Sequence, residues 1–131
     1  MTRNVVVPEA DRVAYERFHF AQGVRHGDLL ICSGQIGVDS NGSAPEAAEE
    51  EFRLAWRAVG RVLVEAGMGF ENVLEYTTFH VGLAQHLRAF MSVRDEFLEA
   101  PWPAWTAIGV SELAVPGARV EIRVTAAAPA G

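Results

Sequence analysis

Lysine is absent from this chain: all eleven positive side chains are arginines, set against seventeen aspartates and glutamates. The net charge is −6 and the pI about 5.1. A chain with no lysine and no arginine cluster lacks the basic surface that phosphate contacts require, so nucleic acid is not its expected partner. Cysteine is nearly absent too. Cys32 stands alone, which excludes an internal disulfide and suits a reducing compartment. No apolar run has the length of a membrane span, and Met1 to Val7 lacks the apolar core of a signal peptide. The expected location is cytoplasmic, with no membrane partner. There is no Gly-rich phosphate loop, since Gly67-Met68-Gly69 follows a helix instead of opening one. No histidine pair has metal-ligand spacing, so neither metal nor cofactor is expected.

What is present suits a globular fold. Of 131 residues, 50% are hydrophobic and 21% charged, and residues 1–131 are read as a single domain. Asn4 to Val7 reads as a short strand ended by Pro8, within a mixed segment up to Arg17. Phe18 to Val24 reads as extended, and Arg25-His26-Gly27-Asp28 as a hairpin turn. Leu29 to Ile36 has almost no polar alternation, which predicts one strand covered on both faces.

Ala44 to Ala66 carries Phe52, Ala55, Trp56, Val59, Val62, Leu63 and Ala66 at the spacing of one helix face. Ser43 and Glu46 resemble a capping box, and Glu49, Glu50 and Glu51 read as a solvated helix start. A strand is expected over Val73 to Val81. A second helix is expected over Gln85 to Leu98, with Met91 among its apolar residues. Two C-terminal strands follow, read as a pair, through Thr106–Val110 and Arg119–Ala127. Two helices cannot cover both faces of such a sheet, so one face is left to find a partner.

Pro101 and Pro103 flank Trp102, and Trp105 follows, so a cleft-lining role competes with core packing at both tryptophans. Cys32 reads as a small buried hydrophobe, and Ser33 lacks the context of a serine hydrolase. In the last strand Val120, Ile122, Val124 and Ala126 share one face, and Arg119, Glu121, Arg123 and Thr125 the other. A carboxylate there must be solvated, paired or functional. Spacing alone favours an ion pair of Glu121 with Arg123 or Arg119 over catalysis.

Phe20-Ala21-Gln22-Gly23-Val24, the run Gly27-Asp28-Leu29-Leu30-Ile31-Cys32-Ser33-Gly34-Gln35-Ile36, Pro103-Ala104-Trp105 and Val120-Glu121-Ile122 together resemble the Rid family. These are the reactive intermediate deaminases, also called the YjgF/UK114 family. The likeness runs from about Phe18 to Ala126. It implies an α+β, chorismate-mutase-like fold: a mixed sheet with two helices on one face, in a homotrimer with a central β-barrel. It also implies clefts between subunits and hydrolysis of small imines or enamines to keto acids and ammonia.

Carried over residue by residue, the resemblance makes Glu121 the general acid/base, helped by Ser33 or a bound water. The arginine that grips the substrate carboxylate in the deaminase subgroup falls on Trp105. The tyrosine before the early glutamine falls on Phe20, and the asparagine of the second helix on Met91. Trp105, Phe20 and Trp102 would form an apolar wall, with Arg123 or Arg119 left to supply a cation. The expected activity is therefore Rid-like hydrolysis or tautomerisation of an imine-type molecule with an apolar or aromatic portion, not standard 2-aminoacrylate deamination. A non-catalytic small-molecule or protein-binding trimer is the alternative.

Overall fold

The computed structural model describes residues 2–129. The strands are β1 (Asn4–Val6), β2 (Gly23–His26), β3 (Leu29–Cys32), β4 (Gln35–Ile36), β5 (Val73–His80), β6 (Ala104–Gly109) and β7 (Val120–Ala127). The α-helices are α1 (Arg12–Phe18), α2 (Ala48–Glu65) and α3 (Leu83–Arg94). The sheet runs β1-β2-β3-β7-β5-β6, with β4 also paired to β7. Every pairing is antiparallel except β5 with β6, which is parallel and bridged by the α3 crossover.

Burial of the α2 stripe builds the core. Phe52, Ala55, Trp56, Val59, Val62 and Leu63 are all buried, and they meet Val120, Ile122, Val124 and Ala126 of β7 together with Phe90 and Val93 of α3. Trp56 is wholly buried and stacks with Phe90 and Phe97 at ring separations of 6.1 Å. Gly67, at φ +75°, ends α2 in the left-handed conformation, and Met68 N–H donates to Leu63 O.

Several expectations are corrected. The capping box does not form, because the helix begins later. Asp39 Oδ1 accepts from Ser43 N–H at 3.1 Å and holds Ser43 in a preceding turn instead. The acidic run is not uniformly solvated. Glu51 is fully buried, and its carboxylate accepts from the backbone N–H of Arg119 (2.6 Å) and Val120 (3.2 Å) and from Arg119 Nη1 (2.7 Å). Residues 12–18 form an unexpected helix, two turns with no buried residue and hence no apolar stripe to announce it. The second helix starts and ends earlier than expected, and Met91 is exposed on it. The two C-terminal strands are not neighbours, since β5 lies between them.

The run from Leu29 to Ile36 is not one strand. Ile31 pairs with Thr125 and Gln35 with Ile122, four steps along one chain against three along β7. One extra residue is therefore bulged out around Ser33-Gly34. The bulge reverses the facing: Leu30, Cys32 and Gln35 all turn inward and are buried, while Ile36 joins Leu29 and Ile31 outside. That outer face has no helix over it. Leu29 (39%), Ile31 (43%) and Ile108 (41%) stay exposed there, so the expected cover on both faces is absent within one chain.

Candidate functional site

The bulge at Ser33-Gly34 builds one cluster. In register, Glu121 of β7 lies between Ile36 of β4 and Phe79 of β5, and Phe79 is followed by Ile108 of β6. Glu121 is thus the carboxylate in an otherwise apolar row on the open face. Its side chain lies directly against Gly34: a Cβ built there would overlap Oε2. Only glycine leaves room for the carboxyl at that point. Desolvation among these neighbours pushes the Glu121 carboxyl above its ordinary value.

Among the described residues Glu121 has no ion-pair partner, which corrects the pairing that strand spacing favours. Arg119 turns away from the sheet face to buried Glu51 and also donates to Pro45 O and Glu46 O. Arg123 shares the face of Glu121, but its Nε donates to Cys32 O at 3.3 Å.

Beside Glu121, Ser33 Oγ donates to Ala21 O at 2.6 Å, and Ser33 N–H to Gln22 O. These bonds tie the bulge to the segment carrying Phe20. Phe20 and Ser33 both line an open hollow of about 610 Å³, walled also by Tyr15, Glu16, His19 and Val24. Cys32 faces the core, and burial pushes its thiol up to about 12, so it stays a protonated hydrophobe.

The second cluster is on the helix side of the sheet. Trp105 pairs in register with Tyr76, which pairs with buried Val124. Its indole lies parallel to the Tyr76 ring, 10° between planes at 5.7 Å, and is 6.2 Å from the Phe90 ring. Trp105 Nε1–H donates to Thr78 Oγ1 at 2.9 Å, and Thr78 Oγ1 is 2.7 Å from His80 Nε2. His80 is fully buried; burial first, and then the charge of His86, lower its pKa to about 4. Arg94, the last residue of α3, lies over two aromatic rings, its Cζ 5.0 Å from the Trp105 ring centre and 5.8 Å from that of Trp102. Trp102 is 58% exposed.

One chain therefore places Glu121 against Gly34 of the bulge and Ser33 in a hollow with Phe20, and separately brings Trp105 and Trp102 to Arg94. It does not join the two sets, and Met91 makes none of the contacts described for either. Sequence reading missed Tyr76, Thr78, His80 and Arg94. The inward alternation Tyr76, Thr78, His80 on β5 was the available signal for three of them, and the four-residue step from Phe90 for Arg94. No group of three or more potential metal ligands occurs among the described residues, and no described helix is long and apolar enough to cross a membrane.

Ser33-Gly34-Gln35 and Glu121, two of the stretches that carry the resemblance, thus meet on one mixed sheet. A family model described as endoribonuclease L-PSP matches residues 12–128, and the chain belongs to that family, the Rid or YjgF/UK114 family. It is 34% identical over 128 residues to the RutC family protein YjgH of Escherichia coli K12, covering 97% of this chain and 96% of the relative. It is 31% identical over 112 residues to the 2-iminobutanoate/2-iminopropanoate deaminase of Bos taurus, covering 82% of this chain and 78% of the relative. Among solved structures, Protein YJGH matches with a TM-score of 0.89 and 32% identity over the whole of both chains. RidA from the Antarctic bacterium Psychrobacter sp. PAMC 21119 shares the fold, with a TM-score of 0.78, 23% identity and coverage of 83% and 88%.

Proposed function

We propose that this protein is an imine or enamine hydrolase of the Rid family, acting on a small molecule with an apolar or aromatic portion in a cleft between the copies of a homotrimer. The observation that carries this reading is the Glu121 carboxyl: unpaired among the described residues, held against Gly34 in an apolar row, and raised in pKa by that setting. In its carboxylate form a group so placed is suited to take a proton from water as the oxygen attacks an imine carbon, and to pass that proton to the nitrogen. The hydroxyl proton of the resulting carbinolamine then moves through the same carboxyl to nitrogen as the C–N bond breaks, so ammonia leaves and the carbonyl remains. Ser33 frames this step from the bulge. Trp105 and Trp102, with Phe20, supply an aromatic wall.

The trimer is proposed because one sheet face exposes Leu29, Ile31 and Ile108, apolar side chains that a second copy would cover. The family description names a ribonuclease, yet a net charge of −6 with no lysine opposes a nucleic-acid substrate.

A second reading has its own support. Ser33 Oγ is already committed to Ala21 O, and Trp105 is held by Thr78, so the same cleft also suits binding without turnover. Ammonia and carbonyl release from a panel of aryl and alkyl imines decides the matter. Release above the spontaneous rate, lost in Glu121→Gln, is expected; binding with no release would favour the non-catalytic trimer.

A further inference from the structure

The contact of Arg94 with Trp102 and Trp105 has a use that position 105 alone cannot serve. Tryptophan has one N–H donor and no charge, and at Trp105 that donor is spent on Thr78. Of the arginines named as replacements, Arg119 is consumed by Glu51 and two carbonyls, and Arg123, which within one chain lies on the face opposite Trp105, donates its Nε–H to Cys32 O. Arg94 is the guanidinium in contact with Trp105. Its side chain is only 14% exposed, lies over two indole rings and is held by Asp95, whose Oδ1 accepts from Nε (3.0 Å) and lies 2.9 Å from Nη2. Burial works against its charge, but the Tyr76 hydroxyl and the Asp95 carboxylate more than offset it and hold the cation.

A planar cation immobilised in this way has lost its rotamer freedom before any ligand arrives. It keeps N–H groups beyond those given to Asp95. The opposing charge nearby is partly used up: Glu96 is engaged by Arg53 at 2.9 Å, and Asp95 is itself an exposed carboxylate seated on the guanidinium.

Resting on the proposed cleft, we propose that Arg94 is its anion-recognising and specificity-determining residue. It binds the carboxylate of a substrate whose planar apolar part lies along the exposed Trp102. Asp95 occupies the guanidinium in the unliganded protein, and a substrate carboxylate displaces or joins it. The cation is carried by α3 and lies over the rings of Trp105 and Trp102, not at position 105 itself. The preferred substrate thus carries its carboxylate on an apolar spacer, unlike a short imino acid.

The test uses two planar probes of nearly equal shape, cinnamate and cinnamamide, titrated calorimetrically into the intact protein at low ionic strength. Cinnamate is expected to bind about tenfold or more tightly than the amide. Arg94→Gln should abolish that preference while leaving cinnamamide affinity within about threefold, and Asp95→Asn should tighten cinnamate by removing its competitor. Arg94→Lys keeps the charge without the planar fork, so a partial preference is expected of it. It also serves if the glutamine variant loses its fold. Equal binding of acid and amide by the wild type, or a preference that survives Arg94→Gln, overturns the proposal. The readout is independent of turnover. A preference for cinnamate with no imine hydrolysis would sink only the enzymatic reading, whereas hydrolysis without the preference would sink only this one.

Discussion

Glu121 and Trp105 lie on opposite faces of one sheet, with β5 between their strands. Glu121 is in register with Phe79 on the open face, and Trp105 with Tyr76 on the helix-covered face. No side-chain rotation within a chain brings them to one ligand. A cleft using both takes each from a different copy, so the trimer and the site stand or fall together.

That dependence is testable by complementation. Light scattering on the wild type is expected to give three times the 14.2 kDa chain mass. Glu121→Gln and Trp105→Ala, each impaired alone, are refolded together in equal amounts. Random trimers should then regain about one quarter of the wild-type clefts, since each cleft needs an intact residue from two neighbours. A monomer, or no recovery on mixing, would refute the intersubunit site.

For Glu121 itself, the absence of an ion pair alters what substitution should do. Turnover by Glu121→Gln should fall about 10²-fold or more. Its melting temperature should hold or rise, because no partner is orphaned. The sign follows from the raised carboxyl. Its folded-state pKa lies above the unfolded one, so its stabilising contribution is present at low pH and is lost as pH rises through the folded value. Wild type should therefore lose stability relative to Glu121→Gln as pH climbs through that region. Destabilisation with an unchanged rate would make Glu121 structural.

On the proposed reading, a tryptophan at position 105 in place of a carboxylate-gripping arginine predicts poor use of short imino acids. Generating 2-iminopropanoate in place with a dehydratase and following pyruvate should give a rate near the spontaneous one. Trp105→Arg should raise it if the rest of the cleft is intact. A fast wild type would show that some other cation reaches the short substrate.

His80 gives a pH prediction of the opposite sign. Its folded pKa is lowered from 6.5 to about 4, so the folded state keeps it neutral while the unfolded chain protonates. Its contribution is complete above about 6.5 and is lost as pH falls toward 4, amounting to about 3 kcal/mol over that window. Because Thr78 links His80 to Trp105, tryptophan fluorescence should follow the loss. His80→Gln should flatten the dependence; an unchanged acid profile would place the titrating group elsewhere.

Local pattern alone determined much of this protein. The spacing of Phe52 through Leu63 defined α2 and its buried stripe, and the alternation from Val120 to Ala126 defined both faces of β7 and placed Glu121 on the open one. The Ser33-Gly34-Gln35 and Glu121 motifs marked the family. These are periodic or contiguous features, and periodicity reports which way a side chain points without knowing what it meets. What it meets was decided only by the tertiary structure. Glu51 read as solvated because nothing within α2 needs it; its partners, Arg119 and Val120, arrive from 68 and 69 residues away. Glu121 read as paired because Arg119 and Arg123 are near in sequence, yet folding gave Arg119 to Glu51 and Arg123 to a carbonyl. The bulge that turns Ile36 outward exists only once β3 and β4 share β7. Arg94, unmarked in the sequence, became a bound cation because α3 ends where β6 begins. Pairing and burial are relations between distant segments, and they come into being only when the chain has folded.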